Sequence, residues 1–197
     1  MEIPCLLDNI TFDANACIRY ALKYGNQKAL YVEQFDTFKK NCEKIGIIMG
    51  YFKFIKDQSY RNLTSAVNKF ARSNNVNSYT LMKFNYKCKE NLDNLFYRLT
   101  EFQEIFDETE IEIARNFFID KEKDISLYVQ HLKSNIPEYS DIKLLVCCDN
   151  HNCNITYLIS DDSHFTAYAQ DIEISPYTVR ILPLRDLMQK MIQWKWI

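Results

Sequence analysis

The run Ile155-Thr-Tyr-Leu-Ile159, followed at once by Ser160-Asp161-Asp162, constrains the fold more than any other stretch. Five β-branched, aromatic and aliphatic residues in a row predict a buried strand. Two adjacent carboxylates end it, and unpaired charge is stable only where the strand leaves the sheet for solvent. In an open α/β sheet that carboxyl edge is where ligands bind. Two further segments share the pattern. Asn9-Ile-Thr-Phe-Asp13 is a short strand running into Ala14-Asn15, and Ser140-Asp141 heads the apolar run Ile142-Lys-Leu-Leu-Val146. The three together predict a cluster of acids drawn from distant parts of the chain, of the kind a Mg²⁺ or Mn²⁺ site requires.

Between these ends the pattern is mainly helical. Only 3 Gly and 4 Pro in 197 residues leave too few turns for an all-β fold. Residues 15–24 read as a helix closed by Gly25. Residues 27–54 read as helical, with Leu30, Phe35, Phe38, Cys42, Ile45 and Ile48 at helical spacing and Gly46 and Gly50 as breaks. Residues 59–72 form another helix, and 76–82 a short second strand. Residues 91–118 read as a helix in two pieces, and 125–132 as one more, broken at Asn135-Ile136-Pro137. Ser140 or Asp141 suits the cap of a helix reaching Cys148. Residues 164–168 read as a short helix, 172–174 and 179–182 as strand-like pieces, and 183–190 as a final helix. Strands alternating with helices predict an α/β fold with a mostly parallel central sheet. The length suits a single domain over 1–197, with a helical elaboration at about 84–135.

The net charge of −2 provides no overall basic footprint, so a nucleic-acid partner would have to be met by local basic patches or through metal ions. Seven cysteines at irregular spacing, an odd number in a chain of this size, predict reduced and mostly buried thiols in a cytoplasmic protein. Met1-Glu-Ile-Pro4 lacks the basic start of a secretory signal, and no apolar run is long enough to suggest a membrane span.

At three segments the chain resembles the PIN-domain family of nucleases. Ile10-Thr-Phe-Asp13-Ala-Asn15 is similar to the family's opening strand with its Asp-x-Asn. Asp141-Ile-Lys-Leu-Leu-Val is similar to its internal Asp at a helix start. Leu158-Ile-Ser160-Asp161-Asp162-Ser-His-Phe165 resembles its apolar pair, Ser or Thr, any residue, Asp, two residues, Phe. The tail Asp171-Ile-Glu-Ile-Ser-Pro176 is similar to its last strand and turn. The resemblance implies a Rossmann-like three-layer sandwich. It also implies an endoribonuclease, often in a toxin or RNA-processing role, cutting RNA with Mg²⁺ or Mn²⁺; an inhibitor protein and a homodimer are the further partners expected. Carried over, Asp13, Asp141 and Asp162 are the metal ligands and catalytic acids, and Asn15 and Ser160 orient them. Asp161 is adjacent, but as the next residue along a strand end it points the other way. The family supplies a further Glu after its second strand. Here the best-placed position holds Lys83, and Glu90 follows two helical turns later. That departure leaves open a catalytically degenerate module that binds RNA or a protein partner without cutting.

Plainer readings stand beside these. Asp13, Asn15 and Asp141 are also good helix caps. Cys147, Cys148, His151 and Cys153 are zinc-type ligands without zinc-site spacing, so buried thiols are the expectation. His131 and His164 read as surface or packing residues. Phe96, Phe102, Phe106 and Phe117 read as core or as a dimer face of an assembly protein. Lys83, Lys87 and Lys89 read as a solvated face, and Trp194 and Trp196 as packing for the last segment.

Overall fold

The computed structural model describes residues 9–24, 30–75, 77–126, 136–149, 153–168, 172, 177 and 179–193. Five parallel strands form its sheet, in the order β3-β2-β1-β4-β5. They are β1 (Asn9–Phe12), β2 (Met49–Phe52), β3 (Thr100–Phe102), β4 (Ile155–Ile159) and β5 (Arg180–Leu182). Between β1 and β2 lie α1 (Ala14–Arg19), continued by a π-helical turn Tyr20–Tyr24, and α2 (Leu30–Lys44). The β2–β3 connection is the long hairpin of α3 (Lys53–Ser73) and α4 (Ser78–Arg98). Next come α5 (Glu108–Ser126) and α6 (Tyr139–Asp149) before β4, α7 (Ser163–Ala167) before β5, and α8 (Leu184–Gln193) after it.

The chain steps one way along the sheet from β1 to β3, then crosses back to place β4 on the other side of β1. Parallel crossovers are right-handed, so the two directions put their connecting helices on opposite faces. Helices α1, α3 and α4 pack together on one side, and α5 and α6 pack together with α6 against β4. The fold is therefore α/β with helices flanking an all-parallel sheet. Both faces of the sheet are covered, which is why its strands are nearly uniformly apolar. Phe12 is fully buried and meets Phe35 of α2 with ring centroids 6.2 Å apart, while Phe118 of α5 meets Tyr168 at 5.1 Å.

Asn9 fixes the start of β1 to both neighbours. Its amide donates to the Cys153 carbonyl at 2.6 Å and accepts from Ile48 N–H at 2.9 Å. The register Phe12↔Ile159 then continues beyond the strands. Asp13 N–H donates to Ile159 O at 2.9 Å, and Ser160 N–H donates to Leu182 O at 3.1 Å. Asp13 and Ser160 thus leave the sheet side by side.

Several sequence expectations are corrected. The helical reading of 27–54 ends in a strand: α2 stops at Lys44, Gly46 turns the chain at φ +84°, and β2 follows. Of the second strand expected at 76–82, Val76 lies outside the described residues and 78–82 are instead the start of α4, where the Asn77 side chain caps the helix by accepting from Thr80 N–H at 2.9 Å. A local cap outweighed an imperfect alternation of apolar residues. The helix expected over 91–118 is interrupted by β3, so the range 84–126 holds the end of α4, a sheet strand and α5. Phe96 is buried, and Phe102, Phe106 and Phe117 pack against the same core from three different segments. The six described cysteines are buried free thiols, and burial pushes Cys42 and Cys147 up to about 12. Gly25, Cys5, His131, His151, Trp194, Trp196, most of 125–132 and the tail pieces 173–176 lie outside the described residues. Among the described residues, no helix is long and apolar enough to cross a membrane.

Candidate functional site

The strand order reverses between β1 and β4. At such a switch point the two flanking connections leave in opposite directions and open a crevice at the carboxyl ends. Asp13 ends β1 on one side of that crevice, and Ser160-Asp161-Asp162 end β4 on the other. The apolar strands force the polar residues that follow them to this edge.

Asp13 is only 2% exposed. One carboxylate oxygen caps α1 by accepting from Ala14 N–H at 2.5 Å, and the other accepts from Ser160 Oγ at 2.9 Å. Burial pushes its pKa up to about 7, helped by the nearby carboxylates of Asp141 and Asp162 and opposed by the two hydrogen bonds. Ser160, fully buried, also accepts from Asp162 N–H at 3.1 Å, so its hydroxyl ties the two acids into one frame.

Asp162 caps α7 through Oδ1, which accepts from His164 N–H at 2.8 Å. Its Oδ2 accepts from the exposed Asn15 side chain at 2.6 Å, a contact that crosses the crevice from α1. Asp141 arrives from α6. Its Oδ2 accepts from Glu138 N–H at 3.1 Å, the return bond of a capping box, which fixes the first turn of that helix. Burial raises the Asp141 pKa; Glu138 N–H and His164 oppose this, and the Asp162 carboxylate adds to it. His164 Nδ1 stands 3.2 Å from Asp162 Oδ1 and 3.5 Å from Asp141 Oδ2. That nitrogen is buried and has no aligned hydrogen bond. One ligand atom each from Asp141, Asp162 and His164 lies within 4.8 Å of the others, the spread of a single cation's donors.

The α6 start is braced from the opposite side. Glu104, just past β3, accepts from Phe54 N–H at the head of α3 at 3.0 Å and from Lys143 Nζ at 2.8 Å. The Lys143 ammonium also sits 4.4 Å from the Phe54 ring centroid and 4.2 Å from that of Phe106. This half-buried clasp holds α6, and with it Asp141, to β3 and α3.

Asp161 turns away, as strand geometry requires, and pairs with Arg19 at 2.8 Å. Lys83 is exposed over the Tyr79 ring on α4, and Glu90 pairs with Lys87 at 2.9 Å. Neither makes a described contact with Asp13, Asp141 or Asp162, and the second strand that suggested their placement is a helix. The sequence reading missed His164 and the Glu104–Lys143 clasp. His164 lies inside the Ser-x-Asp-x-x-Phe-like run, and its proximity to Asp141 is visible only once α6 is folded against β4.

Comparison with protein-family models, with curated proteins and with solved structures found no match for this chain.

Proposed function

We propose that the chain is a PIN-type endoribonuclease that uses a divalent cation at the β1–β4 crevice. The observation that carries the reading is the grouping of Asp141, Asp162 and His164 at the carboxyl edge, with buried Asp13 coupled to both acids. The parallel sheet and the position of the crevice agree with the Rossmann-like sandwich that the resemblance implies.

The donor chemistry fits a cation. Carboxylates held this close repel and take up protons unless positive charge is supplied; Asp13, raised to about 7 chiefly by burial, is pushed further the same way by Asp141 and Asp162. Asp141, Asp162 and His164 Nδ1 would hold the metal, with Asp13 set behind them by Ser160. An imidazole among carboxylates tilts the set from Mg²⁺ toward Mn²⁺. When bound, the cation supplies a Lewis acid that lowers the pKa of a coordinated water and offsets charge on a phosphate. Asn15 holds one Asp162 oxygen so that the other faces His164 and the crevice. At Asp141 a single oxygen serves both contacts: Oδ2 accepts from Glu138 N–H and is the one that faces His164 Nδ1. Asp13 is buried with both oxygens engaged by Ala14 N–H and Ser160 Oγ, so it acts through Ser160, which also accepts from Asp162 N–H, to position Asp162.

One observation favours the second reading, a degenerate module that binds RNA or a protein partner. The family's further acid has no counterpart at Lys83 or Glu90, whose contacts are made elsewhere. The two readings separate in a cleavage assay on single-stranded RNA with Mn²⁺ or Mg²⁺. The enzyme reading expects cutting by the native chain, loss of at least about a hundredfold in Asp162→Asn, and the same loss with EDTA. Failure of the native chain to cut any RNA with either metal overturns it in favour of the binding module.

A further inference from the structure

The hairpin of α3 and α4 carries a charge pattern unlike the rest of the chain. From Gln58 to Lys89 there is no Asp or Glu, whereas 26 acids in 197 residues would put about four in a window of that length. The same window holds Arg61, Lys69, Arg72, Lys83, Lys87 and Lys89. All six are exposed. Among the described residues only Lys87 has a carboxylate partner, Glu90, which itself flanks the window. In a chain of net charge −2 this window is therefore locally positive, with six cations and no acid.

The hairpin also exposes aromatic surface where a two-helix projection has no packing reason to do so. Its inner face is closed by Leu63, Val67, Cys88 and Leu92, which are buried, and by Phe70 stacked on Phe84 at 5.3 Å. On the outer face of α4, Tyr79, Met82 and Tyr86 are 66%, 68% and 74% exposed. Successive helical residues turn by about 100°, so positions 79, 82, 83 and 86 share one stripe, with Lys87 and Lys89 on its flanks. Lys83 already lies over the Tyr79 ring, 4.6 Å from its centroid.

We propose that the outer half of the α3–α4 hairpin is a docking surface for single-stranded RNA. Exposed rings interleaved with cations are what a flexible strand needs: bases stack on Tyr79 and Tyr86 while phosphates meet Lys69, Arg72, Lys83, Lys87 and Lys89. A duplex hides its bases and gains nothing from the tyrosines, and an acidic protein or anionic membrane would use the charge without needing π-faces. The root of the hairpin, Lys53, follows β2 directly at the carboxyl edge of the sheet, and the basic and aromatic residues lie on its outer half. The surface is independent of the metal site, and its test is run without metal.

The experiment is fluorescence anisotropy of the full chain with a labelled 20-nucleotide oligouridine in EDTA, at several salt concentrations. The surface predicts binding that weakens with salt, with a log–log slope of about −2 to −4, set by roughly 0.7 per phosphate contacted. The triple variant Lys69→Glu, Arg72→Glu, Lys83→Glu should lose at least about thirtyfold in affinity, and the double variant Tyr79→Ala, Tyr86→Ala at least about tenfold. The Tyr79→Phe, Tyr86→Phe pair should keep native affinity because it keeps the rings. Lys40→Glu, an exposed change on α2, serves as the control and should have little effect. Circular dichroism checks that the variants fold, and all the altered side chains are exposed. No binding at low salt, equal binding by all variants, loss in the charge variant but none in the tyrosine variant, or equal affinity for duplex RNA or anionic vesicles would each overturn the proposal. Because cleavage is not read, a failed nuclease assay and a failed binding assay remain distinguishable.

Discussion

Asp13 is a carboxyl group placed where its charge is costly. Unfolded it ionises near 3.8, and in the folded metal-free protein near 7. Between those values the native state keeps a proton that the unfolded state has released, so stability falls as pH rises from about 4 to about 7 and then levels off. Asp13→Asn keeps an oxygen to accept from Ala14 N–H, turns its amide N–H toward Ser160 Oγ as a donor, and cannot ionise. Denaturant titrations in EDTA should find it more stable than the native chain by roughly 2–4 kcal/mol at pH 8 and about equal at pH 4. A native chain whose stability stays flat across that range would remove the buried acid from the account. At this scale the sequence was informative about residue type and silent about partners. Asp13 and Asp162 stood out because charge followed apolar runs, and Asp141 because it headed one. His164 did not, since one histidine near a strand end carries no sign of the helix that will bring Asp141 to within 3.5 Å of it.

Among the elements, β2 and β3 show what one dimension hides. Met49-Gly-Tyr-Phe52 follows Ile45 and Ile48, whose spacing continues the helical pattern of α2, and β3 is three residues between two long helices. Their pairing is decided by tertiary packing rather than by propensity. Gly50 records that packing. A Cβ there would lie 2.5 Å from both the Thr100 carbonyl oxygen and the Phe102 ring. Gly50→Ala should therefore push β3 off the sheet edge and cost about 2–4 kcal/mol, read from denaturant midpoints. The clasp makes a second element-scale prediction. Lys143→Met leaves Glu104 half-buried with, among the described residues, only the Phe54 N–H to satisfy it. Removing one partner of such a pair should cost about 1–3 kcal/mol. Adding Glu104→Gln to Lys143→Met should recover part of it, and a strictly additive double variant would show that the two side chains do not act as a pair. By contrast, β1, β4 and α6 were legible because each carries its own boundary, an acid just past the apolar run in β1 and β4 and an acid at its head in α6.

On the scale of the whole molecule, one reversal of strand order creates the crevice, and the chain fills its rim with residues from α1, α6 and α7. The α3–α4 hairpin, which starts at the same edge, carries an acid-free basic window that the overall balance conceals. The central claim is that acids far apart in sequence form one cation site. The most direct measurement is calorimetric titration of Mn²⁺ into the native chain, Asp162→Asn, His164→Ala and the control Glu90→Gln. The account predicts saturable binding to the native chain and to Glu90→Gln, and affinity weakened at least about tenfold in each of the other two. No saturable heat with the native chain, or equal affinity in native and Asp162→Asn proteins, would contradict it.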